Sequence, residues 1–280
     1  MEKITSISNA KVQEIKKLLN SKEARRLSGN FVAEGVNIVK DIPCENIKSL
    51  FMTEDAFERY PEIAVKCNEI VFVSEKVLGA ISDTKSPSGV VAVCNVSNNK
   101  EVCRKKCIVL DNLQDPGNAG TIIRTAVACG IQLIYCYGDC VDLYSPKVVR
   151  SSMGGIFFVK VEKLSSKSEL KQELLVLDMA GKNLFSIDKK PDEFALLVGS
   201  ESRGVSKEMR EQADKIISLP MNKNMESLNA GVSLSIALYQ LINGWIFSFV
   251  KKTIDYVIKI WYNKIIAKQI IFWVFIIFKV

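Results

Sequence analysis

Three short stretches of this chain bring together glycine, amide, carboxylate and guanidinium groups of the kind a ligand-binding loop uses. The first reads Asp115-Pro116-Gly117-Asn118-Ala119-Gly120-Thr121-Ile122-Ile123-Arg124-Thr125-Ala126. Its glycines permit close backbone approach to a ligand, and Arg124, about one turn beyond Gly120 near the positive end of a helix, suits a phosphate. Alone, the same text is also a turn followed by a surface arginine, because no Gly-x-Gly-x-x-Gly follows a strand here. The second stretch, Val198-Gly199-Ser200-Glu201-Ser202-Arg203-Gly204-Val205-Ser206, sets two glycines around one carboxylate that can be aimed into a crevice. Standing alone it reads equally well as a strand-to-helix turn. The third joins Leu219-Pro220-Met221 to Glu226-Ser227-Leu228-Asn229-Ala230-Gly231-Val232-Ser233, with Ser227 expected to cap the final helix and Asn229 to supply a polar group at its start. The chain has no histidine, which excludes Ser-His-Asp and Cys-His nucleophiles, imidazole bases and His-ligated zinc. Proton transfer falls to Asp, Glu, Lys, Tyr, Cys, Arg or the substrate itself.

The elements that must position these loops follow from periodicity. Residues 107–110, 131–137, 157–161, 174–178, 195–198 and 215–218 read as strands alternating with helices at 120–129 and 228–242, a pattern that predicts a mostly parallel sheet with helices on both faces. Ligands of such sheets sit beyond the carboxyl ends of the strands. Before a polar linker at 98–106, a smaller α/β unit is expected: a helix over 4–27 with Val12, Ile15, Leu18 and Leu19 on one face, strands at 31–33, 49–53, 70–73 and 89–96, and a helix from Gly35 to Ile42.

Charge is divided unevenly over the 280 residues. Of the formal net charge of +7, residues 1–40 carry eight Lys/Arg against four acids, and residues 245–280 carry six Lys against one Asp. Lys16, Lys17, Arg25 and Arg26 make an N-terminal basic face able to meet phosphates, although a lysine-rich helix is equally a solvated face. The eight cysteines contain no Cys-x-x-Cys pair, so they are expected as reduced packing residues of a cytoplasmic protein, with no metal site. Nothing in residues 1–10 resembles a signal peptide.

In order and wording the three stretches closely resemble the SpoU/TrmH family of RNA ribose 2′-O-methyltransferases, within the knotted SPOUT superfamily. The family motifs run roughly N-x-G-x-x-x-R-T-A, G-S-E-x-x-G and I/L-P-M-(x)4-E-S-L-N. The likeness extends through Asp142-Leu143-Tyr144-Ser145-Pro146-Lys147 to Arg150-Ser151-Ser152-Met153-Gly154, and into Phe31-Val32-Ala33-Glu34-Gly35 and Asp83-Thr84-Lys85-Ser86-Pro87-Ser88-Gly89-Val90. It covers about residues 4–244. The resemblance implies an α/β fold with a SPOUT-type knotted, mostly parallel sheet at 107–244, preceded at 1–97 by a small ribosomal-protein L30e-like domain that grips structured RNA. It also implies a homodimer and S-adenosyl-L-methionine as cofactor. By the match, Arg124 would be the catalytic group, with Asn118, Glu201, Ser227 and Asn229 positioning it, the substrate and the cofactor. Gly199, Leu219, Pro220, Met221 and Leu228 would hold the cofactor, and Lys16, Lys17, Arg25, Arg26, Lys147 and Arg150 would contact RNA, with ribosomal RNA favoured over transfer RNA. The competing class is a non-catalytic RNA-binding protein that keeps the fold.

The chain departs from the family pattern at two places. Lys223 stands where the third motif usually has glycine, which puts the shape of the cofactor loop in question. Residues 245–280 hold all three tryptophans, Trp245, Trp261 and Trp273, with many Ile, Phe and Lys and no Leu, Gly, Pro, Glu or Arg. Three readings of this extension stand side by side: a membrane-surface or partner-binding amphipathic helix, a packed or oligomer-covering segment, and a non-native terminus from an altered reading frame.

Overall fold

Alternating strand and helix patterns in the chain resolve into two sheets. The computed structural model describes residues 3–96, 101–187 and 189–242; the extension 245–280 and part of the expected linker lie outside them. The described residues up to Leu238 form one compact unit. Among the described residues no helix is long and apolar enough to cross a membrane.

The first sheet comprises β1 (Asn30–Glu34), β2 (Ile47–Met52), β3 (Ile70–Phe72) and β4 (Val90–Asn95) in the order β1-β4-β2-β3. The outer pair β2–β3 is parallel and the other pairings are antiparallel. Around it lie α1 (Ala10–Asn20), α2 (Lys22–Ser28), α3 (Val36–Asp41), α4 (Glu54–Arg59), α5 (Pro61–Ala64) and α6 (Glu75–Ala80). The expected helix over 4–27 is two helices. Ser21 ends the first in an extended conformation and caps the second through Ala24 N at 3.1 Å, because a serine side chain competes with the helical backbone. Residues before Ala10 are not helical, and Ile4 instead bridges Val73 beside the sheet. Val12, Ile15 and Leu18 of α1 pack on Val32, Phe51, Val91 and Val93 to form the core.

The second sheet is parallel at every pairing: β5 (Lys106–Asp111), β6 (Leu133–Tyr137), β7 (Lys160–Leu164), β8 (Glu173–Asn183), β9 (Phe194–Val198) and β10 (Lys215–Ser218), in the order β10-β8-β9-β5-β6-β7. Its central strands β5 and β9 are near-continuous buried apolar runs, as cover on both faces requires, and the helices of this sheet include α7 (Pro116–Ala128), α8 (Pro146–Ser151) and α9 (Lys207–Glu211). A last helix, α10, spans 230–242. Residues 157–161 were expected as a strand, but Gly155–Phe158 form a 3-10 turn and the strand begins at Lys160. Cys94, Cys107 and Cys140 are buried, and burial pushes the Cys107 thiol up to about 12, leaving it a packing group.

Contacts between the two sheets' segments are specific. Arg25, expected on an RNA-facing surface, is instead 7% exposed. Its Nε donates to Asp142 Oδ2 at 2.7 Å, and its Nη1 donates to the carbonyls of Leu18 and Leu19. Beside this ion pair Phe31 of β1 is tilted against Tyr144 and stacked on Phe157, with ring centroids 5.0 and 5.3 Å apart. Arg150 pairs with Asp83 at 2.5 Å. The turn carrying Asp83 is organised by buried Glu34, which accepts from Asp83 N at 2.9 Å and from the hydroxyls of Ser82 and Thr84. Losing one partner of a buried pair leaves the other charge uncompensated. Arg25→Ala is therefore expected to lower unfolding free energy by about 3 kcal/mol, read from urea denaturation; a change within error would show the pair to be dispensable.

Candidate functional site

The carboxyl edge of the parallel sheet collects all three sequence stretches. Asp115 caps α7 through Asn118 N at 2.7 Å, with Pro116 in the first turn, so the helix expected from residue 120 begins already at Pro116. Gly120 was expected to admit a ligand. A Cβ there would instead lie 2.1 Å from Ser151 Oγ, so the glycine lets α8 pack on α7. Arg124 consequently lies two turns into the helix. It is exposed, and its guanidinium has no hydrogen-bond or ion-pair partner among the described residues.

The second stretch folds back on itself. Ser200 and Gly204 exchange backbone hydrogen bonds at 3.0 and 2.9 Å. A Cβ on Gly199 would fall 2.3 Å from the Gly204 carbonyl, and Gly204 itself has φ +67°. The resulting strap holds Glu201 outward, where its Oε1 accepts from Asn118 Nδ2 at 2.6 Å. Asn118 is 6% exposed, and this bond to a carboxylate is of the stronger, charge-assisted kind.

Asn229, not Ser227, caps the last helix: its Oδ1 accepts from Val232 N at 3.1 Å. The next turn approaches α7 so closely that a Cβ on Gly231 would be 3.3 Å from Asn118 Oδ1 and Thr121 Cβ. Thr125 and Ser235 join the two helices at 2.7 Å. Because Thr121 touches Gly231, its i+3 neighbour Arg124 lies on the flank of α7 next to this helix pair.

A cavity of about 490 Å³ opens beyond β8, β9 and β10. Among the predicted residues, Gly199, Glu201, Leu219, Met221, Ser227, Leu228 and Asn229 line it. Pro220 and Arg124 do not line it, and Asn118 reaches it only through Glu201. Sequence reasoning missed Leu177, Asp178 and Met179, which form another wall. The register of β8 against β10 jumps from Val176↔Ile216 to Lys182↔Ile217, so residues 177–181 loop out over the cavity. Asp178 is held there by Arg210 at 3.1 Å. The rule that ligands sit at strand carboxyl ends would have marked these residues, but the bulge itself has no sequence signal.

The cavity suits a small molecule that carries both apolar and polar groups. Its volume falls within the range of about 300–1,000 Å³ of small-ligand sites. Leu177, Met179, Leu219 and Met221 supply apolar surface, and Asp178, Ser227 and Asn229 supply polar groups.

Comparison with known proteins follows the same division of the chain. A family model described as the SpoU rRNA Methylase family matches residues 105–239, and one described as the MRM3-like substrate binding domain matches residues 9–92. The 23S rRNA (guanosine(2553)-2′-O)-methyltransferase RlmP of Bacillus subtilis (strain 168) is 32% identical over 251 residues, covering 86% of this chain and 99% of the relative. A 23S rRNA (uridine(2479)-2′-O)-methyltransferase of Streptomyces viridochromogenes is 26% identical, with coverage of 86% and 91%. Among solved structures, an AdoMet-bound rRNA methyltransferase from Sinorhizobium meliloti superposes with a TM-score of 0.74 at 27% identity, covering 86% of this chain and 97% of that one. AviRb from Streptomyces viridochromogenes, in complex with AdoMet, gives 0.73 at 26%, covering 85% and 98%.

The tight turn yields a direct test. Gly199→Ala forces a methyl group into the Gly204 backbone and is expected to cost about 2–3 kcal/mol, measured by urea unfolding. Unchanged stability would mean that the turn can open without loss.

Proposed function

The chain belongs to the SpoU/TrmH family of RNA methyltransferases, and on that premise we infer that it transfers a methyl group from S-adenosylmethionine to a ribose 2′-hydroxyl of structured RNA. The observation that carries the reading is the Asn118–Glu201 bond, which ties α7 to the strap at the edge of the 490 Å³ cavity. Ribosomal RNA is the favoured substrate, supported by relatives named as 23S rRNA methyltransferases. The matches at 9–92 and 105–239 support a division into a substrate-binding domain at 1–97, a linker at 98–106 and a methyltransferase domain at 107–244. We place the protein in the cytoplasm with that substrate.

The cavity fits the cofactor in size and in its mixed lining. When bound, S-adenosylmethionine supplies an electrophilic sulfonium methyl. Gly199, Leu219, Met221 and Leu228 would hold it, with Pro220 stiffening the loop that carries Leu219 and Met221. The protein's remaining task would be to place the hydroxyl in line, so that the O–CH3 bond forms as the S–CH3 bond breaks and S-adenosylhomocysteine leaves, and to stabilise charge as the hydroxyl proton passes to solvent water. A guanidinium stays protonated, so Arg124 binds the adjacent phosphate and stabilises the developing alkoxide. Asn118 and Glu201 fix the strap against α7, while Ser227 and Asn229 orient the ribose and the cofactor's polar end. Lys16, Lys17, Arg26 and Lys147 are the cations offered to RNA phosphates. Arg150 is held by Asp83 and shapes the neighbouring turn.

A second copy of the chain is proposed to cover the exposed apolar stripe of Val232 and Ile236 on α10, which are 45% and 40% exposed at helical spacing. Ile236→Asp is expected to convert a dimer to monomer in sedimentation velocity; a wild-type monomer would overturn the dimer. Removal of a preorganised charge-stabilising donor costs about 10²–10³ in rate. Arg124→Ala is accordingly expected to lower kcat for tritium transfer to 23S rRNA by at least that range of about 10²–10³, with the dissociation constant for S-adenosylmethionine within about twofold. Retained turnover would remove Arg124 from the reaction.

A further inference from the structure

Two cavities lie along the carboxyl edge of the parallel sheet, and methyl transfer as described uses one of them. The second, of about 430 Å³, opens beyond β9, β5 and β6, on the other side of the strap that ends the first. Both share Ser200, Gly204 and Val205 as a common wall. The remaining lining is polar: Asn112, Gln114, Asp139, Ser202, Arg203 and Ser206.

This wall is tightly specified. Asn112 has φ +53°, a left-handed conformation that few non-glycine residues other than asparagine and aspartate adopt. A Cβ on Gly138 would lie 2.3 Å from Asn112 Oδ1, so glycine at that position makes room for the amide. Asn112 Oδ1 accepts from Asp139 N at 3.0 Å, and its Nδ2 donates to Asp111 Oδ1 at 2.7 Å. Asp111 is fully buried and its other oxygen accepts from Ser206 N at 2.6 Å. One buried carboxylate thus fixes both sides of the cavity. Unusual backbone geometry held by surrounding bonds of this kind concentrates at functional sites.

The chemistry of the lining selects among occupants. Neither the Arg203 guanidinium nor the Asp139 carboxylate has a hydrogen-bond or ion-pair partner among the described residues. A phosphate would meet the Asp139 carboxylate, and an apolar group would desolvate that carboxylate and the Arg203 guanidinium without pairing either. A nucleobase edge offers acceptors to an arginine and N–H donors to a carboxylate or amide oxygen. Splayed bases of RNA are read on such edges. We propose that this second cavity takes a nucleobase of the substrate RNA, at or next to the reacting ribose, and carries part of the enzyme's selectivity. The proposal rests on the RNA methyltransferase reading above.

The test uses the full chain with an unmodified 23S rRNA transcript carrying 6-thioguanosine or 4-thiouridine, irradiated and digested to map crosslinked peptides. Crosslinks are expected in peptides holding residues 112–114 or 202–206. In parallel, Arg203→Ala and Gln114→Ala are each expected to raise KM for the unsubstituted transcript about tenfold or more, with kcat and the S-adenosylmethionine dissociation constant within about twofold. Crosslinks confined to other peptides, or KM unchanged in both variants, would overturn the assignment. Tritium transfer by the wild-type chain reports the methyltransferase reading separately, because crosslinking needs RNA binding and no turnover.

Discussion

No heavy atom fits on the Cα of Gly199, and the rest of the site depends on that constraint. With Gly204 2.3 Å from where a Cβ would stand, the chain leaving β9 must turn back at once. That turn makes one strap serve as a wall for two cavities, and it points Glu201 toward α7 instead of into the sheet. The Asn118–Glu201 bond then locks the strap to the helix that carries Arg124. A single steric fact therefore sets the wall that the two cavities share and the point at which α7 is tied to it. Because packed interiors transmit small displacements, an added methyl group at this point is felt at each of these groups.

A second set of contacts couples the four-stranded sheet to the parallel one. Arg25 and Asp142, the Phe31–Tyr144–Phe157 rings and the Arg150–Asp83 pair all join residues far apart in sequence. Buried Glu34 governs the turn that presents Asp83. The two sheets' segments are thus tied together at several points in the described residues. This linkage withdraws Arg25 from the set of phosphate-binding cations: its charge is spent on holding α2 against the segment that follows β6.

Much of the fold was legible beforehand because burial on both faces writes a strong apolar signal. Residues 107–110, 195–198 and 215–218 fall within or coincide with observed strands, since a parallel strand covered by helices has few polar positions to confuse with a loop. Boundaries were less legible where a single polar residue decided them. Ser21 split one expected helix into two, and Asn229 displaced Ser227 as the cap. At each position more than one local hydrogen bond is open to the side chain, and packing chooses among them.

Composition and motif text by themselves determined the chemistry available: no imidazole, one arginine in the first motif, one carboxylate between two glycines, and a parallel sheet whose carboxyl edge must hold the site. Tertiary structure alone decided which residues meet. It brought residues 177–179 to the cavity through a register jump that no pattern announces, and buried Asp111 as the clamp of a second cavity. It also turned Gly120 from a ligand-facing glycine into a helix-packing one. The physical reason is that residue type and periodicity report a preference for burial or exposure, whereas close approach is set by what arrives on the other side, from segments tens of residues away.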